Sequence, residues 1–214
     1  MREQIIKKIL REKTIAIVRG IYGEDCVNLA RALADGGVTL LEVTFDQRSA
    51  AERVRTCDTI RMLNEALGDR MAFGAGTVTT VEMVEMAKEA GAQFIISPDT
   101  NEAVIRATVE RDMVSIPGAL TPTEIAHAHN CGADFVKLFP ANAMGPAYLK
   151  AICAPLSHVR ILAVGGVDER TVKEYFAAGA VGAGVASCLF QKAWVQAGEW
   201  DRITEAARTF QAML

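Results

Sequence analysis

Short apolar runs, each about six residues long, recur along the whole chain, and longer stretches with apolar residues at helical spacing separate them. The runs TIAIVR (14–19), TLLEVTF (39–45), MAFGAG (71–76), FIIS (94–97), VSIP (114–117), FVKLFP (135–140), RILAVG (160–165) and VGAGVA (181–186) read as strands. Between them, EDCVNLARALADG, VEMVEMAKEAG, EAVIRATVERD and ERTVKEYFAAGA read as helices. Several helices stop at a glycine just before the next strand, at Gly36-Gly37, Gly91, Gly132 and Gly179. The unit repeats roughly every 25 residues, and eight such units make a minimal eight-stranded βα barrel. The expected fold is α/β: a single (β/α)8 TIM barrel over residues 1–214, with no internal linker or domain boundary. Residues 1–12, MREQIIKKILRE, are expected to form a short amphipathic helix packed on it.

A doubly wound open sheet also alternates strands and helices. Two features weigh against it. Arg19-Gly20-Ile21-Tyr22-Gly23 after the first strand lacks GxGxxG spacing. Polar residues also interrupt the strands in a regular phase, which suits the mouth of a barrel better than a sheet buried on both faces.

That phase isolates two side chains. In FVKLFP, Val136 and Leu138 share one face, while Phe135, Lys137 and Phe139 share the other. In LLEVTF, Leu41, Val43 and Phe45 point outward to the helices, leaving Leu40, Glu42 and Thr44 toward the axis. A buried ammonium is costly, and the interior of an eight-stranded barrel is narrow enough for Lys137 and Glu42 to meet across it. One reading is a structural ion pair. The other is chemistry: a desolvated lysine becomes nucleophilic, and a nearby carboxylate can move protons, which is what Schiff-base catalysis requires. Gly165-Gly166 and the turn at Gly184 to Ser187 stand where many barrels seat a phosphate on backbone N–H groups.

Composition narrows the partner. The net charge of −3 is spread over mixed-sign residues without a basic block, which argues against nucleic acid or an anionic membrane and for a small-molecule substrate. The five cysteines show no CxxC spacing and read as reduced thiols, so a cytoplasmic protein is expected, with no signal peptide or membrane span. His127 and His129 lie two apart on a helix and His158 lies in a loop, so no metal site is expected. Cys188 reads as a small buried or half-buried thiol. Met83 and Met86 read as helix core, and Trp194 and Trp200 as a cap on the barrel or a contact with another subunit.

The motifs LLEVTF, FGAGTV (73–78), FIISP (94–98), IPGALTPTE (116–124), VKLFPAN (136–142), AVGGV (163–167) and GVAS (184–187) together resemble those of the 2-dehydro-3-deoxy-6-phosphogluconate and 4-hydroxy-2-oxoglutarate aldolase family, including its 6-phosphogalactonate branch. The resemblance runs along essentially the whole chain. It implies a class I carbon–carbon lyase of Entner–Doudoroff-type carbohydrate metabolism, cleaving a 2-dehydro-3-deoxy-6-phospho sugar acid to pyruvate and glyceraldehyde 3-phosphate. It implies no cofactor and commonly a homotrimer. Lys137 matches the Schiff-base lysine and Glu42 the acid/base residue. Thr77 matches a pyruvate-carboxylate contact, Pro98 a residue lining that pocket and Phe139 an apolar wall. By their place after the seventh and eighth strands, Val164, Gly165, Gly166, Ala186 and Ser187 are expected to line the distal, phosphate-binding end.

Two departures concern specificity. Some relatives carry an arginine four residues after the glutamate, where this chain has Asp46, and Arg19 is the available substitute for the carboxylate. Many gluconate-type relatives read PTGG, where this chain has Ala163-Val164-Gly165-Gly166. That feature and Met144-Gly145-Pro146-Ala147-Tyr148 resemble the galactonate branch, whereas EVTF and LFPAN resemble the gluconate type, so the C4 preference stays open. The alternatives are a 4-hydroxy-2-oxoglutarate aldolase giving pyruvate and glyoxylate, a same-fold sugar-phosphate isomerase or synthase, and a catalytically silent barrel.

Overall fold

The computed structural model describes all residues, 1–214. Its strands are β1 (Thr14–Val18), β2 (Leu40–Thr44), β3 (Ala72–Gly76), β4 (Phe94–Ile96), β5 (Val114–Ile116), β6 (Gly118–Ala119), β7 (Val136–Leu138), β8 (Ile161–Val164) and β9 (Gly182–Val185). All ladders are parallel, in the order β5-β4-β3-β2-β1-β9-β8-β7-β6. The seam between β5 and β7 is joined by Asp134 and Phe135 N–H groups donating to the Ser115 carbonyl, at 3.1 and 3.2 Å. Helices between the strands wrap the sheet, giving the expected (β/α)8 barrel.

The fifth run differs from the eight-strand expectation. It is broken into β5 and β6 at Pro117, which has no N–H to continue the ladder. Before the break the chain pairs with β4, and after it Gly118 and Ala119 pair with Lys137 and Leu138 of β7. The Pro117 carbonyl accepts the Lys137 N–H at 2.8 Å, so the break itself fixes the backbone of that lysine. The sixth run is also shorter than expected, ending at Leu138, and the last helix of the four named from the sequence is reduced to α8 (Val172–Ala177). A helix α7 (Ala141–Cys153) starts directly after Pro140 and is kinked at Gly145.

The inward and outward phases separate two cores. Leu41, Val43, Phe73, Ala75, Val136 and Leu138 join the layer between sheet and helices. Ile15, Leu40, Phe94, Ile96, Val114, Ile116, Phe135, Leu162 and Val164 fill the barrel. The N-terminal helix α1 (Arg2–Glu12) belongs to this inner cluster through Ile5 and Ile9, so it closes the bottom of the barrel instead of lying on its side. Arg2 fastens it with two bonds to Asp134 at 2.8 and 3.0 Å, and Asp134 accepts the Ser115 N–H at 2.9 Å.

Inside, large side chains require small partners across the ladder. A β-carbon on Gly74 would overlap the Phe94 ring, and one on Gly76 would overlap the Glu42 carboxylate. These two glycines are set by close approach rather than by backbone dihedrals. The plug gives the first prediction: Ile9→Ala, which leaves a cavity at the barrel floor, is expected to lower stability by roughly 2–5 kcal/mol. Urea unfolding of the two proteins measures it, and a loss under about 0.5 kcal/mol, the range of surface substitutions, would contradict the role given to α1.

Candidate active site

The strands deliver their inward residues to a cleft of about 310 Å³ at the C-terminal end of the barrel. It brings together Arg19, Glu42, Thr77, Pro98, Lys137, Phe139, Val164, Gly165, Gly166, Ala186 and Ser187, all the residues singled out from the sequence. Ile17, Val167, Asp168, Gly184 and Val185 line it as well.

Glu42 is 2% exposed and Lys137 8% exposed, so both charges are held almost out of water. They make no ion pair within 4.0 Å, and Glu42 Oε2 has no hydrogen-bond partner. Burial therefore dominates both groups. It pushes the Glu42 carboxyl up to about 7, against the opposing pull of Lys137 and Arg19. Burial also lowers the Lys137 pKa, with Glu42 working against the shift and Arg19 adding to it. The amine is thus biased toward its nucleophilic form and the carboxyl toward exchanging a proton near neutral pH. Lys137 Nζ lies 4.4 Å from the centre of the Phe139 ring, whose face supports the ammonium form on the cleft side.

Arg19 follows β1 in phase with Ile15 and Ile17 and has no carboxylate partner within 4.0 Å. Its Nη2 donates to Thr77 Oγ1 at 3.2 Å, which turns the guanidinium and the hydroxyl to one side of the cleft. Thr77 has φ +58°, a left-handed conformation that a β-branched residue rarely adopts. Gln47 pins it there: Gln47 Nε2 donates to the Thr77 carbonyl at 2.7 Å.

Gln47 escaped the sequence reading, as did Arg48. Arg48 binds both oxygens of Asp46 at 2.6–3.0 Å, holding that carboxyl at about 2. The acid at position 46 is thereby matched by a cation two residues on, and Arg19 is left for another anion. The pair of residues at i and i+2 in a loop carries no helical or strand period that would announce it.

At the far end, Gly165 (φ +97°) and Gly166 (φ +70°) form a turn only glycine adopts readily. Asp168 lies beside it, but its Oδ1 accepts the Arg170 and Thr171 N–H groups and the Thr171 hydroxyl at 2.8–3.1 Å. Ser187 stands on the single turn 186–190 after β9, closed by Leu189 and Phe190 N–H groups on the Ala186 carbonyl. Cys188 is half-buried and lines a separate groove with Trp194 and Phe210, its thiol pushed up to about 12 by burial, an unreactive state. All five cysteines are free.

The family model for KDPG and KHG aldolases matches residues 5–206. This chain belongs to that aldolase family. It is 35% identical over 178 residues to the 2-dehydro-3-deoxy-6-phosphogalactonate aldolase of Escherichia coli K12, covering 83% of this chain and 84% of the relative. It is also 35% identical over 201 residues to the 2-dehydro-3-deoxy-phosphogluconate aldolase of Treponema pallidum, covering 94% and 92%. Among solved structures, the KDPG aldolase of Legionella pneumophila superimposes with a TM-score of 0.82 at 28% identity, covering 92% of each chain. In that protein pyruvate was captured at low pH as a covalent carbinolamine. Membership of the family makes the chain a carbon–carbon lyase, and no helix is long and apolar enough to cross a membrane.

Two features lie outside the cleft. His127 and Cys131, four apart on α6 (Pro122–Asn130) and its cap, come together with Glu102 within 4.8 Å on the outer surface, where Glu102 is already paired with Arg106. Trp194 and Trp200 pack against the outer core, Trp194 under the Arg202 guanidinium at 4.0 Å.

The Glu42 carboxyl gives a signed prediction. Its pKa in the folded chain is about 7 against an ordinary 4.5, so folding holds its proton more tightly than the unfolded chain does. Its contribution to stability is full below about pH 4.5 and lost as the pH rises to about 7. Glu42→Gln is therefore expected to gain on the parent through that window, by about 3 kcal/mol between acid pH and pH above 7. Denaturant melts at acid and alkaline pH check this, and an offset that does not change with pH counts against it.

Proposed function

We propose that this chain is a class I aldolase that cleaves a 2-dehydro-3-deoxy-6-phospho sugar acid to pyruvate and glyceraldehyde 3-phosphate. The observation that carries the reading is the buried, unpaired Lys137 and Glu42 facing one cleft beside the Arg19–Thr77 pair. The Lys137 amine adds to the C2 carbonyl, the carbinolamine loses water, and a protonated imine forms. Glu42 takes the C4 hydroxyl proton, directly or through a water, as the C3–C4 bond breaks and its electron pair moves into the imine. The aldehyde leaves. The remaining enamine is protonated at C3, and hydrolysis of the imine releases pyruvate and the free lysine.

Arg19 and Thr77 hold the C1 carboxylate, with Pro98 and Phe139 as the apolar walls around the methyl end. Gly165, Gly166, Ala186 and Ser187 receive the distal phosphate. Val164, buried in the inner cluster, presents no hydroxyl to the sugar chain, so the C4 and C5 hydroxyls are met by other groups. The same reading extends to a cytoplasmic homotrimer, a state that sedimentation equilibrium distinguishes from a monomer.

Three outcomes are expected. Borohydride with pyruvate adds one reduced pyruvate to Lys137, seen by peptide mass analysis, and a protein left unlabelled beside a labelled control aldolase would sink the mechanism. Arg19→Ala raises KM for the aldol about 10- to 100-fold, the loss of a charge-assisted pair. A KM unmoved by that change would remove Arg19 from the carboxylate site. Cleavage rates on the two C4 epimers, measured side by side, assign the gluconate or galactonate preference.

A further inference from the structure

The phosphate end of the cleft is built without a cation. Among the lining residues only Arg19 and Lys137 carry positive charge, and both belong to the pyruvate end. The acid that lies near the glycine turn, Asp168, accepts the Arg170 and Thr171 N–H groups and the Thr171 hydroxyl. A dianionic group seated there must therefore be held by neutral donors, and the turn's own N–H groups are few.

Two side chains reach this turn, and only one of them, Asn142, is polar. Asn142, in the first turn of α7, lies against Gly166: a β-carbon built on that glycine would fall 2.5 Å from Asn142 Nδ2 and 2.6 Å from Cγ. The Asn142 backbone N–H donates to the Gly165 carbonyl at 3.0 Å, which fixes the start of α7 on the turn. From the other side the Phe139 ring edge lies 3.3 Å from the corresponding position on Gly165. The carboxamide is exposed and accepts or donates no hydrogen bond within the chain, so its N–H groups are uncommitted. A carboxamide carries two donors and no charge, which adds hydrogen bonds to a phosphate without drawing Glu42 or Asp168 toward it.

We propose that Asn142 donates a side-chain hydrogen bond to the substrate's terminal phosphate and so helps this chain select phosphorylated over unphosphorylated aldols. This rests on the placing of the phosphate at Gly165, Gly166 and Ser187. Position 142 thus couples two segments that the chemistry needs in register. The strand bearing Lys137 runs through Pro140 into α7, and Asn142 ties that segment to the phosphate turn.

The test compares kcat/KM for the phosphorylated sugar acid with that for 4-hydroxy-2-oxoglutarate. Asn142→Ala is expected to lower the ratio of the two about tenfold, the scale of one hydrogen bond to a charged group. Asn142→Asp is expected to lower it further, because a carboxylate faces the phosphate, and part of that additional loss is recovered at high salt. A variant that slows both substrates equally shows a merely structural contact and overturns the proposal. Ser187→Ala separates the two levels of inference. If it lowers the ratio while both Asn142 variants leave it unchanged, the phosphate site stands and Asn142 is excluded from it. Equal turnover of both aldols by the parent protein removes the phosphate site, and Asn142's role with it.

Discussion

Moving a charged side chain from water into a protein interior costs on the order of several kcal/mol, and a close partner only partly offsets it. This barrel holds a lysine and a glutamate in its interior without joining them in an ion pair. That arrangement is tolerable because each group relaxes toward its neutral form, and the same relaxation suits them to the proposed Schiff-base chemistry. Much of the upper barrel serves this condition. Gly76 gives the carboxylate room, the Phe139 face touches the ammonium, and Arg19 supplies positive potential while leaning on Thr77 instead of on Glu42.

The positions of these groups come from backbone features of modest size. Pro117 ends one ladder and turns its carbonyl to the Lys137 N–H. Gln47 holds a left-handed threonine, and Arg48 occupies the Asp46 carboxylate that would otherwise compete for Arg19. None of these contacts touches both reactive groups, yet each removes a freedom that would let the site loosen. The strain at Thr77 is retained because the neighbouring β4 backbone and the Gln47 amide both grip its segment.

How much of this is legible in the sequence follows from range. Strand phase has a period of two, and burial on one face imposes it on every inward residue, so Lys137, Glu42 and the outward Val136 and Leu138 can be placed from letters alone. Helix ends are equally local, since Gly37, Gly91, Gly132 and Gly179 adopt positive φ where the stops were read. What the letters conceal is pairing between distant segments. The partner change at Pro117 depends on which strand lies beside each half. The floor position of α1 depends on Ile5 and Ile9 meeting an inner cluster contributed by six different strands. The Arg48–Asp46 and Asn142–Gly166 contacts depend on loop geometry that no periodic pattern encodes.

The plug formed by α1 has a consequence for traffic. With Ile5 and Ile9 packed under the inner cluster that fills the barrel, the cleft lies at the C-terminal end of the strands alone. In the proposed reaction the three-carbon fragment is attached to Lys137, and the aldehyde carries the phosphate toward Gly165, Gly166 and Ser187, which line the same cleft. Departure is then ordered by chemistry: the aldehyde leaves first, and pyruvate can follow only after its imine with Lys137 is hydrolysed. In the reverse direction the keto acid must enter and be fixed before the aldehyde arrives. Both fragments thereby share one cleft, with the filled barrel and its floor helix behind them.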